Sequence, residues 1–138
     1  MGVYPPTSDI AASGFDAVYG LELTGCSEEL AHGRVQVRDE LMQLGGLVHG
    51  GVYGAIADAL AVRGTATGVG PQGKIAIGLA NQTVVLHPIA GGTIHATATR
   101  RHRGSTTWVW EVEMADDAGQ VCVTGRVTVA VGSPTGAP

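Results

Sequence analysis

Residues 46–62, with the sequence GLVHGGVYGAIADALAV, contain the side chains best suited to chemistry. His49 is followed directly by Gly50 and Gly51, and a single carboxylate, Asp58, stands among apolar residues. Burying an unpaired carboxylate costs free energy, so such an acid needs a partner or a function. Two hypotheses follow: Asp58 is a core acid hydrogen-bonded to the backbone or a hydroxyl, or it takes part in catalysis.

The stretch from residue 50 to about residue 68 is predicted to be a buried helix, because it has helical length and is apolar on nearly all sides. The first N–H groups of a helix lack intrahelical acceptors and carry partial positive charge. Gly50 and Gly51 have no side chains, so a ligand oxygen could approach these amides as it does in an oxyanion hole. The alternative is that the two glycines only permit close packing.

Asp58 lies eight residues after Gly50, which is about 12 Å along a helix axis and about 80° around it. It therefore cannot act on a carbonyl held at the N-terminus of its own helix. In a two-fold dimer with antiparallel helices, each Asp58 would face the other chain's helix N-terminus. His49 is separated from Asp58 by more than two turns, so we interpret it as scaffolding.

The segments around this helix have the alternation of β-strands and predict an α+β fold with a curved antiparallel sheet wrapped around one helix. Trp108 and Trp110 share an apolar strand face, which favours a core or interface position over a platform for adenine. From Val121 to Val131 the odd-numbered valines alternate with Cys122 and its neighbours, and 116–119 is predicted to be a hairpin turn. One domain is expected over 14–132, with loose tails at 1–13 and 133–138. The predicted strands are 17–24, 30–39, 74–87, 93–103, 106–115 and 121–131.

The composition excludes several classes of protein. Of 138 residues, 44% are hydrophobic and 14% charged, with a net charge of −4, which argues against disorder and against binding to nucleic acid or an anionic membrane. Cys26 and Cys122 are too few for a disulfide framework, and the histidines have no ligand spacing, so neither a metal site nor a cofactor is expected. The sequence shows no signal peptide or membrane span, which predicts a cytoplasmic location.

Three short motifs are set aside. Residues 68–73 match G-x-G-x-x-G but follow a helix and contain Pro71, which is the wrong context for dinucleotide binding. Residues 81–83 match a glycosylation sequon without a secretion signal. The absence of G-x-S-x-G argues against a serine hydrolase.

The chain resembles the hotdog-fold acyl-CoA thioesterases, most closely the 4-hydroxybenzoyl-CoA thioesterases of the actinobacterial type and the PaaI-like enzymes. The segments that carry the resemblance are Q-L-G-G-L-V-H-G-G at 43–51, the acid at 58, N-Q-T at 81–83 and G-S-T-T-W at 104–108. The resemblance implies a sheet around a central helix, self-association into homodimers and commonly homotetramers, and hydrolysis of an acyl-CoA, here expected to be aromatic. CoA would be part of the substrate, and no cofactor would be needed.

The resemblance also implies roles for individual residues. The Gly50 amide would polarise the thioester carbonyl with help from the Gln43 side chain, and Asp58 of the other subunit would attack it or activate water. His49 would support the catalytic loop. The residues expected to contact the substrate or its CoA part are Gly51, Asn81, His87, Arg101, Arg103, Ser105 and Thr106.

Three positions depart from the family pattern. Asp58 stands where the most similar branch has Glu, Val62 stands where it has a Thr hydroxyl one turn after the acid, and His87 stands where it has an arginine. Since side chains alternate along a strand, Arg101 and Arg103 are predicted to project together and to contact CoA phosphates. The alternative is a solvated strand end.

Other readings of the family resemblance stay open. The acyl group could be 1,4-dihydroxy-2-naphthoyl, phenylacetyl or a medium chain. A module that binds acyl-CoA without hydrolysing it is the alternative outside the enzymes.

Overall fold

The computed structural model describes residues 14–134, in which one long helix packs on a six-stranded antiparallel sheet. Residues 1–13 and 135–138, where loose tails were predicted, lie outside this range. Short 3₁₀ turns occupy Asp39–Leu41 and Gly70–Gln72. The helices are α1 (Phe15–Tyr19) and α2 (Gly50–Val69), and the strands are β1 (Glu22–Cys26), β2 (Leu30–Gln36), β3 (Ile75–Val85), β4 (Thr93–Arg103), β5 (Thr107–Ala115) and β6 (Val121–Gly132).

The sheet has the strand order β1-β2-β4-β5-β6-β3, and every neighbouring pair is antiparallel. Helix α2 lies on one face and contacts all six strands. Strand β3, which follows α2 in the chain, forms an edge of the sheet beside β6. The predicted architecture of one central helix and one antiparallel sheet is therefore confirmed.

Two glycines of α2 allow the helix to approach the sheet closely. A Cβ at Gly64 would overlap the ring of Trp110, and a Cβ at Gly68 would come within 2.5 Å of Trp108. Trp110 Nε1 donates to Thr65 Oγ1 at 2.9 Å, and that hydroxyl donates to the Ala61 carbonyl at 2.8 Å. Both indoles are buried, which confirms the prediction that they belong to the core.

The first predicted strand, 17–24, is wrong in its first half. Residues Phe15–Tyr19 form α1, which ends at Gly20 with φ 81°, and the Gly20 N–H donates to the carbonyl of Asp16. Strand β1 begins only at Glu22. A helix of five residues is too short to show a helical period in the sequence, and burial of Tyr19 against α2 stabilises it.

The alternation predicted for the last strand fails at its start. Met114 pairs with Val123 and Ala115 pairs with Val121, so Cys122 is an extra residue in a bulge. Cys122 is consequently buried while Val121 is exposed, the reverse of the predicted pattern. The turn that precedes it is confirmed, with a positive φ at Gly119.

Candidate active site

The N-terminus of α2 offers one uncommitted amide. His49 is the N-cap residue, and its Nδ1 accepts a hydrogen bond from the Gly51 N–H at 2.8 Å. The Val52 N–H donates to the His49 carbonyl. Among the described residues the Gly50 N–H has no acceptor, and Gly50 is exposed. The cap thus uses the amide of Gly51, which was predicted to contact substrate, and leaves that of Gly50 for a ligand.

The loop before α2 fixes the amide group of Gln43. Gln43 Oε1 accepts a hydrogen bond from the Gly45 N–H, and the Gln43 backbone N–H donates to the Leu47 carbonyl at 2.7 Å. Gly46 has φ 79°, a conformation that favours glycine. Because Oε1 is already engaged, Nε2 is the part of the Gln43 side chain that remains as a donor. This orientation suits contact with a substrate oxygen.

Asp58 lies on α2 where the helix passes the edge strand β3. Its side chain is exposed in the single chain and has no hydrogen-bond partner among residues 14–134. A Cβ at Gly78 would overlap Asp58 Oδ1 and approach Val62, so the missing side chain of this glycine makes room for the carboxylate. Neighbouring protein atoms desolvate the carboxylate, and Asp16 adds a like charge; both raise the pKa of Asp58. The alternative of a core acid bonded to the backbone or a hydroxyl is not what the structure shows.

Asn81 joins β3 to α2. Its Nδ2 donates to the Gly54 carbonyl at 2.9 Å, one helical turn before Asp58. Asn81, which was predicted to contact substrate, therefore holds β3 against α2 beside Asp58. The Oδ1 atom of Asn81 is not used in this hydrogen bond.

The two arginines of β4 do not project together. Arg100 pairs with Trp110 and His102 with Val109, so Arg101 is an extra residue that interrupts the alternation. Arg101 consequently lies on the outer face of the sheet, where its Nε donates to Glu111 at 2.8 Å. The prediction of a shared face for Arg101 and Arg103 is wrong for this reason.

Arg103 lies instead at the C-terminal end of α2. Its Nη1 donates to Glu28 at 3.1 Å, and its guanidinium is 4.8 Å from the centre of the Trp108 ring. A cavity of about 350 Å³ opens beside it. Lys74 and Ser105 are among the residues that line this cavity, whereas the Thr106 carbonyl accepts from the Val131 N–H.

The residues predicted to bind CoA fall at opposite ends of α2. His87 is exposed beyond the end of β3, near the N-terminus of α2, where the Val48 N–H donates to the Ile89 carbonyl. The cavity with Ser105 lies at the other end. A helix of 20 residues is about 30 Å long, so one chain does not bring these residues to one point.

Sequence reasoning missed three residues near the candidate site. Gly78 had a usable signal, because a glycine inside an apolar strand often marks a close approach. Lys74 is a single cation before a strand and carries no such signal. Asp16 lies on α1, between the predicted tail at 1–13 and the predicted strand at 17–24.

Among residues 14–134, no three side chains of His, Cys, Asp or Glu come together in a way that could hold a metal ion. None of the described helices combines the length and apolar character needed to cross a membrane.

The comparisons with known proteins agree with this geometry. Residues 45–123 match the model of the thioesterase superfamily. The chain belongs to the thioesterase superfamily. It is 33% identical over 115 residues to the Mycobacterium tuberculosis protein Rv1847, covering 82% of each chain. The solved structure of that protein has a TM-score of 0.84 at 31% identity, covering 90% of this chain and 98% of the other.

Two relatives of this chain have named activities. A 1,4-dihydroxy-2-naphthoyl-CoA hydrolase of Listeria monocytogenes is 30% identical over 118 residues, covering 86% of this chain and 95% of the relative. A proofreading thioesterase, EntH, of Cronobacter turicensis is 26% identical over 114 residues, covering 81% of each. The predictions of a hotdog fold and of a thioester hydrolase are confirmed at this level.

Proposed function

We propose that this thioesterase hydrolyses an aromatic acyl-CoA to the free acid and CoA, at a site that two copies of the chain build together. The observation that carries the proposal is the placement of two unsatisfied groups on one helix. Among residues 14–134, neither the Gly50 N–H nor the Asp58 carboxylate has a hydrogen-bond partner. Their separation along α2 is about 12 Å, too far for one thioester carbonyl to meet both.

The edge strand β3 supports pairing with a second copy. Among its exposed apolar residues are Leu79, 61% exposed, and Val84, 49% exposed. An exposed apolar edge strand is a template for another strand unless it is covered. Antiparallel pairing of β3 with its copy about a two-fold axis joins two sheets and places the two α2 helices side by side. Each Asp58 then faces the other chain's Gly50, and such dimers can pair further into tetramers.

The chemistry follows from these positions. The Gly50 N–H, with Gln43 Nε2, donates to the thioester carbonyl oxygen and stabilises the negative charge that develops on it. The carboxylate of Asp58 from the second copy either attacks the carbonyl carbon or takes a proton from the attacking water. The C–S bond then breaks and the CoA sulfur takes a proton. If Asp58 attacks, water hydrolyses the resulting anhydride between Asp58 and the acyl group and regenerates the carboxylate; if water attacks, the free acid forms directly. Either route consumes one water per turnover. No cofactor or metal enters this scheme.

The cavity beside Arg103 supports a contact with the CoA phosphates. Lys74 and Arg103 bring two positive charges to this cavity, the second of them paired with Glu28, and Ser105 adds a hydroxyl. Arginine and lysine are both suited to phosphate. Asp58 lies about 16 Å from the C-terminal end of α2, a distance that an extended pantetheine arm can span.

The proposal that the acyl group is aromatic rests on the sequence resemblance to 4-hydroxybenzoyl-CoA thioesterases. A second acyl group, 1,4-dihydroxy-2-naphthoyl, is favoured by the relative from Listeria that is named for it. Both are flat hydroxylated aromatic acyl groups, and the naphthoyl group has a second, fused ring and one more hydroxyl.

The substrate class is tested by following release of free thiol from a panel of aryl-, arylacetyl- and straight-chain acyl-CoAs. We expect the highest kcat/KM with an aryl-CoA, and the ratio between benzoyl and naphthoyl esters decides between the two acyl groups. A preference for straight chains contradicts the aromatic proposal. Binding of CoA esters in calorimetry without thiol release contradicts catalysis.

The shared site is tested by mixing two inactive variants. Asp58→Asn removes the carboxylate, and Gly50→Pro removes the N–H at the first helical position, where proline is tolerated. His49 already has φ −61° and ψ 134°, a conformation that a following proline accepts. After unfolding and refolding at equal amounts, mixed dimers contain one intact site, so about a quarter of wild-type activity should return. No recovery contradicts a site made by two chains.

A further inference from the structure

A second carboxylate, Asp16, lies beside the part of α2 that carries Asp58. Three contacts of Asp16 and its neighbour Tyr19 hold it there. The Tyr19 hydroxyl donates to Asp16 Oδ1 at 2.9 Å and lies 3.3 Å from the Ala55 carbonyl of α2. Arg63 Nη2 is 3.6 Å from Asp16 Oδ2. Ala55 precedes Asp58 by three residues and Arg63 follows it by five, so these contacts fix α1 across the part of α2 that carries the acid.

This cluster is more enclosed than a surface ion pair. The Asp16 and Arg63 side chains are 22% and 15% exposed, and Tyr19 is buried. Removing the charges of Asp16 and Arg63 from water costs free energy, so this ion pair is weak evidence for a purely stabilising role. Burial first, and the Asp16 carboxylate second, raise the pKa of Tyr19, so its phenol stays protonated and donates to Asp16. Asp16 therefore stays in place as an acceptor.

The charged groups around Asp58 come from few elements. Helix α1 contributes Asp16 and Tyr19, and α2 contributes Arg63, which is paired with Asp16. Strand β3 carries no charged residue between Ile75 and Val85. In the proposed dimer the second copy adds the helix N-terminus with its His49. Among residues 14–134, Asp16 is thus the carboxylate whose charge acts on Asp58.

We propose that Asp16 is a positioning residue of the active site: a negative charge that Tyr19 and Arg63 fix beside the part of α2 that carries Asp58, and that Arg63 partly neutralises. The inference rests on the proposed function, because it concerns the same acid. A carboxylate with higher proton affinity is a stronger base, and a general base works best when its proton affinity suits the working pH. Together with partial burial, Asp16 raises the pKa of Asp58 in this direction.

The charge of Asp16 is tested by Asp16→Asn, which keeps the shape and can still accept from Tyr19. We expect the acid limb of the pH profile of kcat/KM to move to lower pH and the plateau at higher pH to fall, so that the two profiles cross. Arg63→Gln leaves Asp16 unneutralised and should move the same limb to higher pH. Shifts of equal sign in the two variants would overturn the proposal.

Two controls separate charge from structure. Tyr19→Phe removes the hydroxyl and keeps all charges, so a loss of rate at every pH without a crossing is its expected effect. Glu113→Gln changes net charge by the same amount on the exposed outer face of β5 and should leave the profile in place. If Asp16→Asn fails to fold, the shift in Arg63→Gln alone decides the outcome.

The titration of Asp58 provides a readout that does not need turnover. Carbon NMR of selectively labelled aspartate, with the resonance assigned by Asp58→Asn, should show Asp58 losing its proton at lower pH in Asp16→Asn than in wild type. An unchanged titration in an active enzyme contradicts the role of Asp16 and leaves the proposed function intact. A shifted titration in a protein that hydrolyses no acyl-CoA contradicts the proposed function alone.

Discussion

The two halves of α2 differ in how their polar groups are satisfied. In residues 59–69, the Thr65 hydroxyl accepts from Trp110 and donates to the Ala61 carbonyl, and no buried side-chain polar atom lacks a partner. In residues 50–58, the Gly50 N–H and the Asp58 carboxylate have no partner in the described chain. Both of these groups are exposed in the single chain. Residues 59–69 therefore serve the packing of α2 on the sheet, whereas under the proposed function residues 50–58 are completed by substrate and a second copy.

Asp58→Asn is the most direct test of this difference between the two halves of α2. We expect a loss of about 10²- to 10⁴-fold in kcat, because the base or nucleophile is removed. Stability should stay equal or rise, since the carboxylate is partly desolvated and its pKa is raised. Thiol-release kinetics and thermal unfolding check the two expectations, with the exposed Asp39→Asn as a matched control. A marked loss of stability would place Asp58 among the structural residues.

The amide at the start of the helix is tested by two substitutions of Gly50. Gly50→Pro removes the N–H and should lower kcat by about 10²- to 10³-fold, the usual value of one oxyanion donor. Gly50→Ala keeps the N–H, and its Cβ would meet no heavy atom of the same chain within 4 Å, so a smaller loss than in Gly50→Pro is expected. Equal activity of the two variants would contradict an oxyanion role for this amide.

In the second half, Thr65→Val tests stability without touching the site. The change leaves the buried Trp110 Nε1 without an acceptor, which should lower the free energy of unfolding by about 1–3 kcal/mol. Because Thr65 is far from both unsatisfied groups, kcat of the folded protein should be unchanged. Denaturant titration and steady-state kinetics measure the two quantities. A change in kcat without a loss of stability would contradict the assignment of residues 59–69 to stability alone.

The smallest effects are expected at the sheet surface. Arg101 forms a half-exposed ion pair with Glu111, so Arg101→Ala should change stability by about 0.5 kcal/mol or less. Arg103 lines the cavity that also contains Lys74 and Ser105. Arg103→Ala should raise KM for acyl-CoA by about tenfold, because one charged hydrogen bond to a phosphate would be lost. Measured KM values for the pair of variants check this order. The opposite order would place the CoA phosphates on the outer face.

Much of the fold could be predicted because its signals are local. The apolar character of α2 on all sides predicts a buried helix, and α2 is one. The alternation in β5 predicts which residues face the core, and Trp108 and Trp110 do. The turn at Gly119 needs only its own residues. Each of these features depends on neighbours in sequence, so the sequence carries the information.

The errors have a common origin in non-local pairing. The bulges at Arg101 and Cys122 reverse the side-chain directions that alternation predicts, and their positions depend on the register with the neighbouring strand. The short helix α1 is stabilised by burial of Tyr19 rather than by its own period. The separation of His87 from Ser105 follows from the length of α2, which the motifs alone do not show.

Local patterns in the sequence identify the components of the candidate site: a helix that begins with Gly50, an acid eight residues later, and a glutamine in the preceding loop. The surroundings of these groups follow from the tertiary structure. His49 accepts a hydrogen bond from the Gly51 N–H, Gly45 donates to Gln43 Oε1, and α1 places Asp16 against Arg63 of the helix that carries Asp58. The physical reason is that hydrogen bonds and charges act through space, at distances that the order of residues does not fix.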